Sequence, residues 1–252
     1  MKRWLWILCC TLFPGIAGGQ AAKTFQLAEN NIIIRFAEPR TESIAREVLA
    51  MAANARQELA EKYKLDKLAF AAPVEIRLSA TTYEFCRLTG RPWWQAAVYR
   101  GRMIYLQPVR VLDERGILAT TLRHELMHQL VEEQSNGNSP IWLSEALAIY
   151  NSGEIALLKP ARKKIEIAEL KWKQLEKRLA GTTNKVEAER LYFQFYHLGQ
   201  FLETKFFVEK LALLLQRLGE KTPFAQACYE ILGENVDAIE KNWLQSAVEK
   251  MR

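Results

Sequence analysis

Histidine is scarce in this sequence, with three among 252 residues. Two of them, His124 and His128, fall within one short stretch, TLRHELMHQL (121–130). Cysteine is scarce as well. Four are present, and Cys9 and Cys10 lie close to the N-terminus. A chain of this length buries a sizeable core and needs no disulfide staples. Cys86 and Cys228 then form either one bridge, in an oxidising compartment, or two buried thiols. Long apolar runs are missing. The run from Trp4 to Phe13 is too short to span a bilayer comfortably. There is no internal repeat, no low-complexity tract and no nucleic-acid motif. The formal net charge of +6 falls to +4 (6 − 2) once Lys2 and Arg3 are removed. So mild a charge argues against a nucleic-acid partner.

The N-terminus, MKRWLWILCCTLFPGIAGGQAAK, has the layout of a secretory signal. A basic start precedes an apolar run, Pro14 and Gly15 break it, and small residues follow. We read 1–22 as a signal peptide and 23–252 as the mature domain. The protein is then exported, to a periplasm or the outside. It meets the membrane only if this segment stays uncleaved.

Hydrophobic periodicity divides the mature chain. Residues 31–36 and 73–79 read as strands, and 95–108 as two strands joined at Arg100-Gly101-Arg102. A long amphipathic helix starts at a Thr41 or Ser43 cap. A short one runs over 81–90 and ends at Gly90. Helix dominates from Val109 onward. One helix spans Leu112 to Val131, with Leu118, Leu122, Leu126 and Leu130 as its core stripe. A loop, EEQSNGNSP, leads to a helix capped by Ser139 with Pro140 in first position. A solvated lysine- and glutamate-laced segment (159–180) and three further helices complete the chain. They lie near 186–204, 206–218 and 223–250, with a break at Gly233. The expected class is α+β, with a sheet-containing part (23–133) and a helical part (134–252).

The two histidines are four residues apart. On a helix they share one face, with Cβ atoms about 5–6 Å apart. Both imidazoles can therefore meet one Zn²⁺, while Glu125 lies beside that face and reaches a water on the metal. Catalytic zinc takes three protein ligands and a water. The third ligand is expected to be Glu145, on the next helix among apolar neighbours, where an unpaired carboxylate would be costly. A structural zinc would be closed by four protein ligands, and only three are found.

HELMH followed by PIWLSEALAIY resembles the gluzincin zinc metallopeptidases, most closely the peptidase MA-like domain. ERLYFQFYHLGQFL (189–202) is similar to that family's later helix, which carries a tyrosine and a glutamine. The likeness covers Pro73 to Trp243. It implies a zincin-like fold and a thermolysin-like core, with a small sheet over the zinc helix and a helical second half. It also implies peptide or protein substrates, Glu125 as general base and an oxyanion donor among Tyr192, Tyr196 and His197. Tyr192 matches the family tyrosine.

Two features depart from the family. Ala146 stands where a glycine follows the ligand. Ile149 replaces an aspartate that orients a zinc histidine, so that role must come from elsewhere, with Glu154 as the candidate. The G-x-M-E-N motif of the related aminopeptidases is absent, which favours an endopeptidase. The strand 95–99 is expected to pair with the substrate backbone, where Ala96 and Ala97 leave room. Trp93 and Trp94 are either cleft wall or core. A catalytically silent binding module on the same fold predicts a damaged ligand set, and this set is intact.

Overall fold

The computed structural model describes residues 24–38, 41–65, 70–157 and 171–249. The N-terminal segment read as a signal peptide lies outside them. So does most of the lysine- and glutamate-laced stretch. No helix among the described residues is long and apolar enough to cross a membrane.

The class is α+β: a small five-stranded mixed sheet and many helices. The strands are β1 (Phe25–Glu29), β2 (Ile32–Phe36), β3 (Val74–Leu78), β4 (Ala97–Arg100) and β5 (Met103–Leu106). Their spatial order is β1-β2-β3-β5-β4. The two hairpins, β1–β2 and β4–β5, are antiparallel, while β2–β3 and β3–β5 are parallel. Alternation sets the buried face. Ile32, Ile34, Phe36, Val74, Ile76, Leu78, Ile104 and Leu106 all point inward.

Strand β1 was not expected from sequence. FQLAE has little β-branched character, and it pairs because Asn30 and Asn31 both take positive φ (51° and 61°) in a tight turn. The second hairpin turns where the sequence led us to expect, and Gly101 and Arg102 both take positive φ there.

Helix α1 (Glu42–Lys62) connects β2 to β3, and α2 (Thr82–Thr89) connects β3 to β4. Thr81 caps α2 by accepting from the Glu84 N–H, and Gly90 ends it in the left-handed region. A short helix, α3 (Val109–Glu114), precedes α4 (Leu118–Ser135).

The single helix expected over 112–131 is thus two. Gly116, at φ 65°, turns the chain between them. Helix α4 also runs further than expected, absorbing the first residues of the predicted loop. It stops where Asn136 and Gly137 both adopt positive φ. Asn136 Nδ2 and Asn138 Nδ2 then donate to the carbonyls of Gly219 and Leu218, which pins this turn to a distant helix end.

Helix α5 (Ile141–Ser152) follows, and its start also corrects the sequence reading. Pro140, not Ser139, is the N-cap residue, and no local side chain caps the helix. The Trp142 N–H instead donates to Glu176 on α6 (Trp172–Gly181) at 3.2 Å. Trp142 also packs on Trp172, with ring centroids 4.1 Å apart.

The remainder is α7 (Lys185–Gly219), α8 (Phe224–Ala227), a π turn (Cys228–Leu232) and α9 (Val236–Glu249). Phe207 (φ 61°) kinks α7 close to the break expected between 204 and 206, and Gly233 (φ 80°) marks the later one. Helices α4, α5 and α7 pack together, and α4 also touches α1 and β4. One buried apolar cluster runs from Leu27 to Trp243, so the sheet and the helical half share a core. Cys86 and Cys228 are both free thiols.

Candidate metal centre

The stripe Leu118, Leu122, Leu126 and Leu130 is buried and fixes the rotation of α4. That rotation turns His124, Glu125 and His128 into a cleft of about 710 Å³. Helix α5 runs back along α4 and brings Glu145 to the same point. The Nε2 atoms of His124 and His128 lie 3.1 Å apart. Glu145 Oε2 is 3.9 Å from the first and Oε1 is 3.9 Å from the second. All three ligand atoms fall within 4.8 Å of one another. A tetrahedral zinc, at about 2.0–2.1 Å from each donor, spaces its ligand atoms about 3.3 Å apart. The donor set fits that ion.

The outer ring nitrogens are held as well. His124 Nδ1–H donates to Glu154 Oε1 at 2.9 Å. His128 Nδ1 lies 2.7 Å from Ser144 Oγ. Both contacts leave Nε2 facing the triad, which is how metal-binding imidazoles are usually oriented. Glu154 stands on a 3₁₀ turn (Glu154–Leu157) just beyond α5, where Gly153 (φ 79°) redirects the chain. It reaches the His124 ring, whereas Ile149 is buried in the core. Ser144 was missed from sequence. A serine directly before Glu145 carries no pattern until the α4–α5 packing is known.

Charge in the site is unbalanced. Three carboxylates surround two imidazoles. Burial disfavours an imidazolium at His124, but Glu154, Glu125 and Glu145 outweigh it and push its pKa up to about 10. Burial, with the His124 charge added, drives His128 well below its ordinary value. Burial also raises Glu145. The excess of carboxylates leaves the point where the three donors converge suited to positive charge, which a divalent cation would supply.

Glu125 is buried on α4 beside the triad. Burial pushes its pKa up to about 7, against the opposing pull of His124 and a hydrogen bond from the Tyr99 backbone. A carboxyl group so placed could exchange a proton near neutral pH. Tyr192, on α7, lines the same cleft. Burial and then the carboxylates of Glu145, Glu154 and Glu125 hold its phenol well above the usual range, so it stays a neutral donor. Of the two alternatives, Tyr196 lines a second cavity and His197 packs against Phe193 at 4.5 Å. Neither lines the cleft.

Strand β4 is an edge of the sheet, paired only with β5. Ala96 and Ala97 lie along the cleft wall, and so does Trp94. Trp93 is 67% exposed and belongs to neither wall nor core. The approach to β4 is fixed by buried Gln107, which donates through Nε2 to the carbonyls of Trp93 and Gln95 at 2.6 and 2.5 Å. Comparison with models of known protein families and with curated proteins gave no match to this sequence.

Proposed function

We propose that the protein is an exported zinc-dependent peptidase of the gluzincin type, with a zincin-like arrangement of sheet and helices. The observation that carries this reading is the convergence of His124, His128 and Glu145 beside an unpaired strand edge. Those three residues would hold one Zn²⁺ per chain. The ion's chemistry there is to lower the pKa of a bound water toward about 7 and to polarise a carbonyl.

The chain's own groups do the rest. Strand β4 aligns an extended peptide through backbone hydrogen bonds, with Ala96 and Ala97 leaving room for its side chains. Glu125 accepts a proton from the attacking water and delivers it to the leaving amine. The Tyr192 hydroxyl donates to the oxygen that gains charge in the transition state. Glu154 and Ser144 hold the two imidazoles in register. The open cleft, with no amine-capturing motif in the sequence, favours an endopeptidase.

The reading is tested first on metal. Purified protein supplemented with zinc and then dialysed should retain one equivalent per chain by atomic emission. Glu145→Ala should lower that affinity by 100-fold or more, on the order of the loss of one of three ligands. Retention of full affinity by the variant would remove Glu145 from the ligand set.

A further inference from the structure

The cleft is not evenly charged along its length. The acids at the triad are engaged. Glu154 accepts from His124, Glu145 faces both imidazoles, and Glu125 takes a hydrogen bond from the Tyr99 backbone. Two arginines that line the same cleft differ. Arg91, on the loop before β4, and Arg115, in the turn before α4, are exposed and line the cleft. Among the described residues neither has an ion-pair partner. Arg91 lines the same cleft as Glu145 and Tyr192, close enough for its charge to act on both.

The direction of β4 says which part of a substrate would meet these arginines. Near the end of β4, Tyr99 bonds Glu125 through its backbone and interacts with Glu132 through its hydroxyl. The end of β4 therefore lies by the second half of α4, and its start lies toward the first turns, which Arg115 precedes. Antiparallel pairs outnumber parallel ones roughly two- to three-fold, and a peptide added to β4 in that sense runs the opposite way. It enters past Glu132 and leaves past Gln95, toward Arg91 and Arg115. The basic end of the cleft is then the end that receives residues C-terminal to the scissile bond.

The geometry points to a carboxylate-recognition subsite: Arg91 and Arg115 bind a substrate carboxylate on the C-terminal side of the cleaved bond. That group is either an acidic side chain or the peptide's own C-terminus. Guanidinium groups suit either one, because their planar donors match a carboxylate in two parallel hydrogen bonds. The inference rests on the peptidase reading for the nature of the ligand.

The test uses zinc-supplemented mature protein, its Glu125→Gln variant and four related peptides. One carries an acidic residue in its C-terminal half and an amidated end. One is neutral with a free C-terminus. One is neutral and amidated. One carries the acid in its N-terminal half. Hydrolysis by the unsubstituted protein is read by mass spectrometry, and binding to the Glu125→Gln variant by fluorescence anisotropy.

We expect one or both of the first two peptides to exceed the neutral amide by about tenfold or more, the effect of a charge-assisted hydrogen bond. Which of the two does so identifies the carboxylate. The fourth peptide should show no such gain. Adding Arg91→Ala and Arg115→Ala should bring the ratio close to one. An equal gain from the fourth peptide would reduce the effect to general attraction by a basic protein and overturn the subsite. So would a preference that survives loss of both arginines. Binding with this preference but no hydrolysis would sink the peptidase reading and keep the subsite. Hydrolysis without preference would do the reverse, and absence of both binding and hydrolysis would sink both.

Discussion

At the scale of single residues, the site is a set of buried and half-buried polar groups whose partners explain their position. The convergence of His124, His128 and Glu145 was legible in the sequence because its logic is local. Four-residue spacing on a helix puts His124 and His128 on one face, and a carboxylate among apolar residues asks for a partner. Their supports were less legible. Glu154 was read as a substitute for the missing aspartate, and it does reach His124. Ser144 went unseen because its partner, His128, lies 16 positions away and depends on how two helices cross. These contacts carry a prediction. Ser144→Ala or Glu154→Ala should weaken zinc affinity about 10–100-fold, the usual effect of losing such an outer contact. Titration against a chromogenic chelator reads this directly, and unchanged affinity would leave the hydrogen bonds without a role. Tyr192 carries another. Its hydroxyl is expected to matter only as charge develops. Tyr192→Phe should therefore lower kcat by roughly 10²–10³-fold with little change in KM. A variant with unaltered kcat would place the oxyanion donor elsewhere.

At the scale of elements, the helices were the more legible part, because each buries a stripe that recurs with helical period. Their ends were less so. Gly116 and the Asn136-Gly137 pair moved both boundaries of α4 through positive φ, and a carboxylate from α6 replaced the expected Ser139 cap. Strand β1 escaped notice because pairing across a turn, rather than its own composition, makes it a strand. The packing of α5 against α7 turns on a glycine. A Cβ on Gly199 would lie 2.3 Å from the Ala146 carbonyl oxygen and 2.5 Å from Tyr150 Cβ. The clash involves backbone, so the two helices must separate to relieve it. Gly199→Ala should destabilise the fold by about 1–3 kcal/mol, as overpacking does. It should also loosen zinc binding, since Ala146 is next to Glu145. An unshifted urea midpoint would mean that the helices part more easily than this contact allows.

At the scale of the whole molecule, the sequence pointed to α+β but could not order the strands. The parallel pairings β2–β3 and β3–β5 join segments far apart in sequence, and no local pattern encodes them. That order matters for function, because it leaves β4 at an edge beside α4 and so makes a cleft instead of a closed sheet. The helical half completes the cleft by supplying Glu145 and Tyr192 across a shared core. The proposed activity, hydrolysis of peptide bonds with Glu125 as the proton carrier, needs both halves of this assembly. The most direct measurement incubates a mixed peptide library with zinc-loaded protein and with zinc-loaded Glu125→Gln, and identifies products by mass spectrometry. The account predicts new termini from the unsubstituted protein that vanish with a chelator. It predicts a loss of about 10²–10⁴-fold or more in the variant, the usual contribution of a general base, while the variant still holds one zinc. Equal cleavage by the two proteins, or none by the zinc-loaded unsubstituted chain, would contradict it.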